Sequence, residues 1–242
     1  MADTVNDILE RMVPELEDLK EKELFSSSEL RSIVEKRRDF EYLLKRRSTR
    51  KADFLRYINY ELTLDKLRRL RKGRMNITKT SVSDFAAVRR VHFIFDRLLR
   101  RYPGDLALLN QYIDYCARTK AARTMTKLLP KALRLHPHNQ DLWIRAATWE
   151  FDNNRDMTAA RVLMQRGLRI NTNTPDLWVA YLRLELLALQ RFRGHLVAVR
   201  AEEGDVGAVE DLPEDRVPFI VYENAVKAVP GDFDLRKACL EV

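Results

Sequence analysis

The 242-residue sequence predicts an all-α fold, a right-handed helical-repeat solenoid of antiparallel helix pairs preceded by a helical extension. Three observations carry this expectation. Charged residues make up 33% of the chain, high for a compact enzyme and usual for long solvated helices. Only 7 Gly and 8 Pro occur, too few for an all-β fold with frequent tight turns. Bulky side chains recur in the same order about every 34 residues, which marks a repeat architecture.

The extension occupies residues 1–50. Ile8, Leu9, Met12, Leu16 and Leu19 share a helical stripe within 5–24. Ser26 and Glu29 form a capping box for the next helix. That helix, ELRSIVEKRRDFEYLLKRR, carries Leu30, Ile33, Val34, Phe40, Leu43 and Leu44.

The repeats fill residues 51–242. Pro103 and Pro137 end helices 34 residues apart, and Leu109, Trp143 and Trp178 follow at steps of 34 and 35. Tyr112, Ala146 and Tyr181 come next, then Tyr115, Trp149 and Leu184, then Cys116, Glu150 and Glu185. Phe54, Tyr57, Tyr60 and Glu61 occupy the same slots earlier in the chain. Side chains at i, i+3, i+4 and i+7 share one helix face, so each period reads as two helices whose apolar stripes need neighbours. The repeats span about 51–103, 104–137, 138–172 and 173–230, and another begins at 231–242. The 55-residue step from Phe54 to Leu109 implies an insertion, LDKLRRLRKGRMNITKTSVSD. A second insertion at roughly 190–217 contains RAEEGDVGAVEDLPED, whose Gly, Pro and acidic residues read as a mobile loop.

A 34-residue helix pair suggests a tetratricopeptide repeat, but Ile58, Ile113, Ala147 and Leu182 stand where that repeat wants a small residue. The aromatic-x2-Tyr-x2-aromatic-Glu pattern instead resembles the half-a-TPR (HAT) repeat, with Leu109, Ala146 and Cys116 as departures. PELEDL, then LFSSSELRSIVEKRRDFEYLLKRR, then KADFLRYINYE resembles the HAT-repeat subunit family of the U-three small-nucleolar-RNA-associated proteins. The resemblance implies a scaffold subunit of the UTP-B subcomplex, within the small-subunit processome of the nucleolus. It implies partners among the other UTP-B subunits, largely β-propeller proteins, together with pre-ribosomal RNA and small nucleolar RNA. The alternatives are a HAT scaffold for pre-messenger-RNA splicing or 3′-end processing, and a direct RNA-binding module.

Chemistry points away from an enzyme. No GxGxxG, Walker or HExxH sequence occurs, and His92, His136, His138 and His195 lie without a nucleophile or ligand cluster beside them. No catalytic residue, metal ligand or cofactor site is expected. Cys116 and Cys239 lack a CxxC partner, which favours core positions in a reducing compartment. No run of about 18 apolar residues spans a membrane.

Net charge is +8 but unevenly spread. Residues 1–30 carry 3 basic and 9 acidic side chains, whereas residues 31–101 carry 22 and 8. Lys45, Arg46, Arg47, Arg50 and Lys51 form one basic cluster, and Arg68, Arg69, Arg71, Lys72 and Arg74 another. Both suit RNA phosphates or an acidic protein partner in equal measure, and a solvated helix face or an import signal in RRLRKGR is the remaining reading. Trp143, Trp149 and Trp178 suit base stacking in principle, but their fixed repeat positions favour packing. The recurring Glu150 and Glu185 are expected to pair with neighbouring cations, with Lys131 and Arg166 as candidates.

Overall fold

The computed structural model describes residues 2–203 and 216–241, and among these every regular element is helical. The helices are α1 (Ala2–Glu10), α2 (Val13–Glu21), α3 (Ser27–Lys45), α4 (Lys51–Arg74), α5 (Val82–Arg101), α6 (Leu106–Thr119), α7 (Ala122–Leu135), α8 (Gln140–Trp149), α9 (Met157–Ile170), α10 (Pro175–Glu203), α11 (Val217–Ala228) and α12 (Phe233–Leu240). A π-helical turn, Glu150–Asn154, continues α8. The chain divides into two compact units, 1–112 and 113–242, with the division inside α6.

In the first unit, α3 packs on α1, α2 and α4, and α5 packs on α2 and α4. Ser26 caps α3 as expected: its hydroxyl accepts from Glu29 N at 3.2 Å, and Glu29 accepts from Ser26 N at 2.8 Å. The break between α1 and α2 has a local cause, because Pro14 in the first turn of α2 lacks the N–H that would continue α1. Leu19, Leu24, Phe25, Leu30 and Ile33 form a buried cluster that also takes in Leu64 and Ile77. The first 50 residues thus share one core with α4. Burying side chains of this size contributes about 1.5–3 kcal/mol each.

Adjacent helices run antiparallel, as their side-chain pairs show. Arg37 meets Glu61 and Glu29 meets Arg71, so α4 descends as α3 climbs. Lys72 meets Asp84 and Glu61 meets Arg90, which gives the same sense between α4 and α5. The stretch expected as a first insertion is mostly helix. It lengthens α4 to Arg74, because LDKLRRLRK consists of strong helix formers.

In the second unit, α8 packs against α7, α9 and α10, while α10 also meets α9, α11 and α12. Gly167 on α9 allows a close approach here: a Cβ at that position would lie 3.0 Å from Cγ of Trp143 and 3.2 Å from Leu177. The Trp143 indole N–H donates to Pro137 O at 2.8 Å, and Asn171 Nδ2 reaches the same carbonyl at 3.2 Å. The step from Trp143 to Trp178 is one residue longer than the step before it, and it contains the π turn. A π turn closes i→i+5 rings, so it absorbs one extra residue without breaking the helix. Helix α10 continues to Glu203, so residues 190–203 of the second expected loop are helical instead. Its remainder, 204–215, lies outside the described residues.

Candidate functional site

The first unit is held together by charge as well as by apolar packing. Glu15 of α2, Arg37 of α3, Glu61 of α4 and Arg90 of α5 meet in its interior, each at most 9% exposed. Arg37 Nε donates to Glu61 Oε1 at 2.8 Å, and its Nη2 donates to Glu61 Oε2 at 3.0 Å and Glu15 Oε1 at 3.1 Å. Arg90 Nη1 donates to Glu61 Oε2 at 3.0 Å, and Nη2 pairs with Glu15. Two carboxylates thus balance two guanidiniums. Burial pushes the Glu15 carboxyl up, but Arg37 and Arg90 more than offset this and hold it below the usual range. Burial works against the charged form of Arg37 and Arg90 too, and the carboxylates keep both firmly protonated. Nearby, Arg97 donates to the buried Glu41 at 2.7 Å. Tyr57, buried and facing Glu61 and Glu41, has its phenol pushed well above the ordinary value.

Sequence reasoning placed Glu61 among the packing positions but missed Glu15, Arg37, Glu41 and Arg90. A signal was present. Ile33, Arg37, Glu41 and Leu44 are all buried at helical spacing, so Arg37 and Glu41 lie on the apolar stripe of α3.

The second basic cluster, at the end of α4, is largely consumed internally. Arg68 is buried; its Nε and Nη2 reach Asp65 Oδ1 at 3.1 and 2.8 Å, and Nη1 pairs with Asp84. Lys72 donates to Asp84 at 2.6 Å and to Lys79 O at 2.8 Å. Arg71 forks onto Glu29 at 2.9 and 2.7 Å, donates to Leu24 O and lies over the Phe25 ring at 4.6 Å. The Arg71 hydrogen bonds lower the Glu29 pKa to about 2. Arg69 is mostly exposed beside Asp65, at 2.7 Å, and Arg74 is exposed with no ion pair among the described residues. These cations fasten α4 to α3 and α5.

The first basic cluster is different. Lys45 is half-buried, and Arg46, Arg47, Arg50 and Lys51 are exposed at the corner between α3 and α4. The corner is fixed from within. The buried Thr49 hydroxyl donates to Arg46 O at 2.6 Å, and Tyr102 donates to Thr49 O at 3.0 Å. Arg101 donates to Arg47 O at 2.8 Å, which brings the end of α5 beside the corner. Lys51 pairs with Asp105 and lies over the Tyr102 ring at 5.3 Å.

At the repeat positions, Phe54, Tyr57, Glu61, Tyr112, Tyr115, Trp143, Trp149, Tyr181 and Glu185 are buried. Tyr60, Glu150 and Trp178 are half-buried. Phe40 stacks on Tyr57 at 4.8 Å, and Phe95 on Tyr112 at 4.6 Å. Trp178 and Tyr181 line a hollow of about 510 Å³ with Leu168, Ile220 and Val221. The partners expected for the glutamates are corrected. Glu185 is paired with Arg161, at 2.8 and 2.8 Å, while Arg166 is exposed on another face of α9. Glu150 accepts from Asn154 at 2.6 Å within the π turn and forms no ion pair with Lys131 among the described residues.

Cys116 and Cys239 are buried and form no disulfide. Among the described residues, no three His, Cys, Asp or Glu side chains group to hold a metal, and no helix is long and apolar enough to cross a membrane.

These features define an all-helical protein whose first unit is locked by buried ion pairs. The family model for U3 small nucleolar RNA-associated protein 6 matches residues 9–90, a span that contains all four members of the central network. The chain is similar to the U3 small nucleolar RNA-associated protein 6 of Schizosaccharomyces pombe, 45% identical over 77% of this chain and 38% of the relative. The mouse and human homologs are each 30% identical, over 96% of this chain and 39% of their own length. The chain therefore spans about two fifths of the length of these relatives. The family model and these relatives carry one name, and the similarity extends from the matched segment, 9–90, over most of this chain.

Proposed function

We propose that this chain is part of a non-catalytic HAT-repeat scaffold of the UTP-B subcomplex, acting in pre-ribosomal RNA processing and small-subunit assembly in the nucleolus. The observation that carries this reading is the coincidence of the matched segment, 9–90, with the ion-paired unit. The recurrence of bulky side chains about every 34 residues supports stacked helix pairs, an architecture suited to partner binding rather than chemistry. U3 small nucleolar RNA, pre-ribosomal RNA and β-propeller subunits are the partners this reading implies.

Affinity purification of the tagged chain from nuclear extract, followed by sequencing of the RNA that accompanies it, tests the proposal. Enrichment of U3 small nucleolar RNA and pre-ribosomal RNA over spliceosomal RNA is expected. Enrichment of spliceosomal RNA instead would transfer the chain to the splicing alternative.

A further inference from the structure

The two basic clusters look alike in sequence, and the structure separates them. The cations at the end of α4 are mostly matched by Asp65, Asp84 and Glu29. At the corner between α3 and α4, Arg46, Arg47 and Arg50 form no ion pair among the described residues, and neither does Arg100 at the end of α5. Residues 45–51 and 100–105 together carry seven cations against one carboxylate, Asp105, which is held by Lys51.

The geometry points to a binding surface for the phosphodiester backbone of RNA at this corner, formed by Arg46, Arg47, Arg50, Arg100 and Arg101 around Tyr102. It deepens the scaffold reading by naming where nucleic acid touches the chain.

Three observations carry it. First, an open hollow of about 630 Å³ is lined by Arg97, Arg100, Arg101 and Tyr102, with no carboxylate in its wall. Guanidiniums present paired N–H donors that match phosphate oxygens, and the phenol ring adds a stacking face. Second, the backbone holding these groups is fixed before any ligand arrives, by the bonds of Thr49, Tyr102 and Arg101. Ordering on binding is then confined to the side chains. Third, apolar side chains are scarce around it: no large hydrophobic residue is exposed within 43–66 or 94–134, and the exposed Phe93 ring lies under the Arg97 guanidinium at 5.3 Å. Protein interfaces have an apolar or aromatic core depleted in charge, with a polar rim, whereas a polyanion needs only the charge. An acidic protein partner is therefore the weaker fit.

The test is anisotropy of fluorescent oligouridine with the whole chain, titrated across salt concentrations. Wild type should bind with a steep salt slope. Changing Arg46, Arg47, Arg50 and Arg100 to Gln should reduce that slope by about 3, since each phosphate contact on a single strand contributes about 0.7. The same four changes to Lys should restore most of it. Arg69→Gln with Arg74→Gln, at the far end of α4, should leave it nearly unchanged. The Gln variants remove only exposed charge, and circular dichroism melting verifies that they fold. An unaltered slope in the fourfold Gln variant overturns the assignment. So does loss of polyglutamate binding with RNA binding intact, which would identify an acidic polypeptide as the occupant. If wild type binds no RNA yet still purifies with U3 small nucleolar RNA, this inference fails while the scaffold reading stands.

Discussion

Arg37 and Glu61 face each other across α3 and α4 in a two-pronged pair, at 2.8 and 3.0 Å, with side chains 1% and 0% exposed. A buried pair is a weak source of net stability, because desolvation costs nearly what the attraction returns. Its asymmetry matters more. Removing one partner strands a charge where water cannot reach it.

Arg37→Met should therefore cost about 3–5 kcal/mol, and Glu61→Gln a similar amount. Urea unfolding of each variant measures this. Losses below about 1 kcal/mol would mean that water reaches the network freely.

Acid should loosen the first unit. Glu15, Asp18, Glu29, Asp84 and Asp105 all have folded pKa values held below their ordinary ones. Their stabilisation is complete above the unfolded values of 3.8 to 4.5 and fades as pH falls through the folded values, about 2 for Glu29. Melting temperature should hold steady down to about pH 5 on this account and drop steeply below about pH 4. His92 adds a smaller effect at higher pH. Burial lowers its pKa against the opposing pull of Asp96, so stability it contributes while neutral is lost as pH falls below about 6.5.

Gly167→Val should destabilise the second unit by about 1–3 kcal/mol, since the added carbons press on Trp143. Thermal unfolding followed by tryptophan fluorescence would show it. A neutral result would mean that α8 and α9 can separate without cost.

Arg161→Ala should cost about 1–3 kcal/mol by leaving the buried Glu185 carboxylate without its cation, less than a fully buried pair because Arg161 is 37% exposed. Arg166→Ala should stay within about 0.5 kcal/mol. Paired denaturation curves separate the two, and a larger loss at Arg166 would contradict the pairing seen here.

The helices themselves were legible. Ser26 and Glu29 announce the start of α3, and the repeated Trp143 and Trp178 slots mark where α8 and α10 begin to pack. Partner choice among charges was not. From sequence, Arg68 and Arg46 are equivalent members of basic runs, and only the fold sets Asp84, 16 residues away, against the first and nothing against the second. Glu185 shows the same limit. Its burial follows from helical spacing, but Arg161 and Arg166 both sit on α9, and the rotation of that helix decides between them. The Gly, Pro and acidic residues of 190–217 suggest a loop, yet α10 continues to Glu203, and the glycine it passes, Gly194, costs a helix only about 1 kcal/mol.

The central quartet also bears on how the first unit finds a single arrangement. Greasy surfaces slide past one another at little penalty, so a bundle zipped by leucines alone tolerates several alignments. Two acids and two bases drawn from four helices favour one, since shifting α2 by a turn would carry Glu15 away and leave Arg37 and Arg90 with Glu61 alone. Here the polar centre acts as a ratchet pawl on alignment, and the aliphatic contacts around it provide the grip.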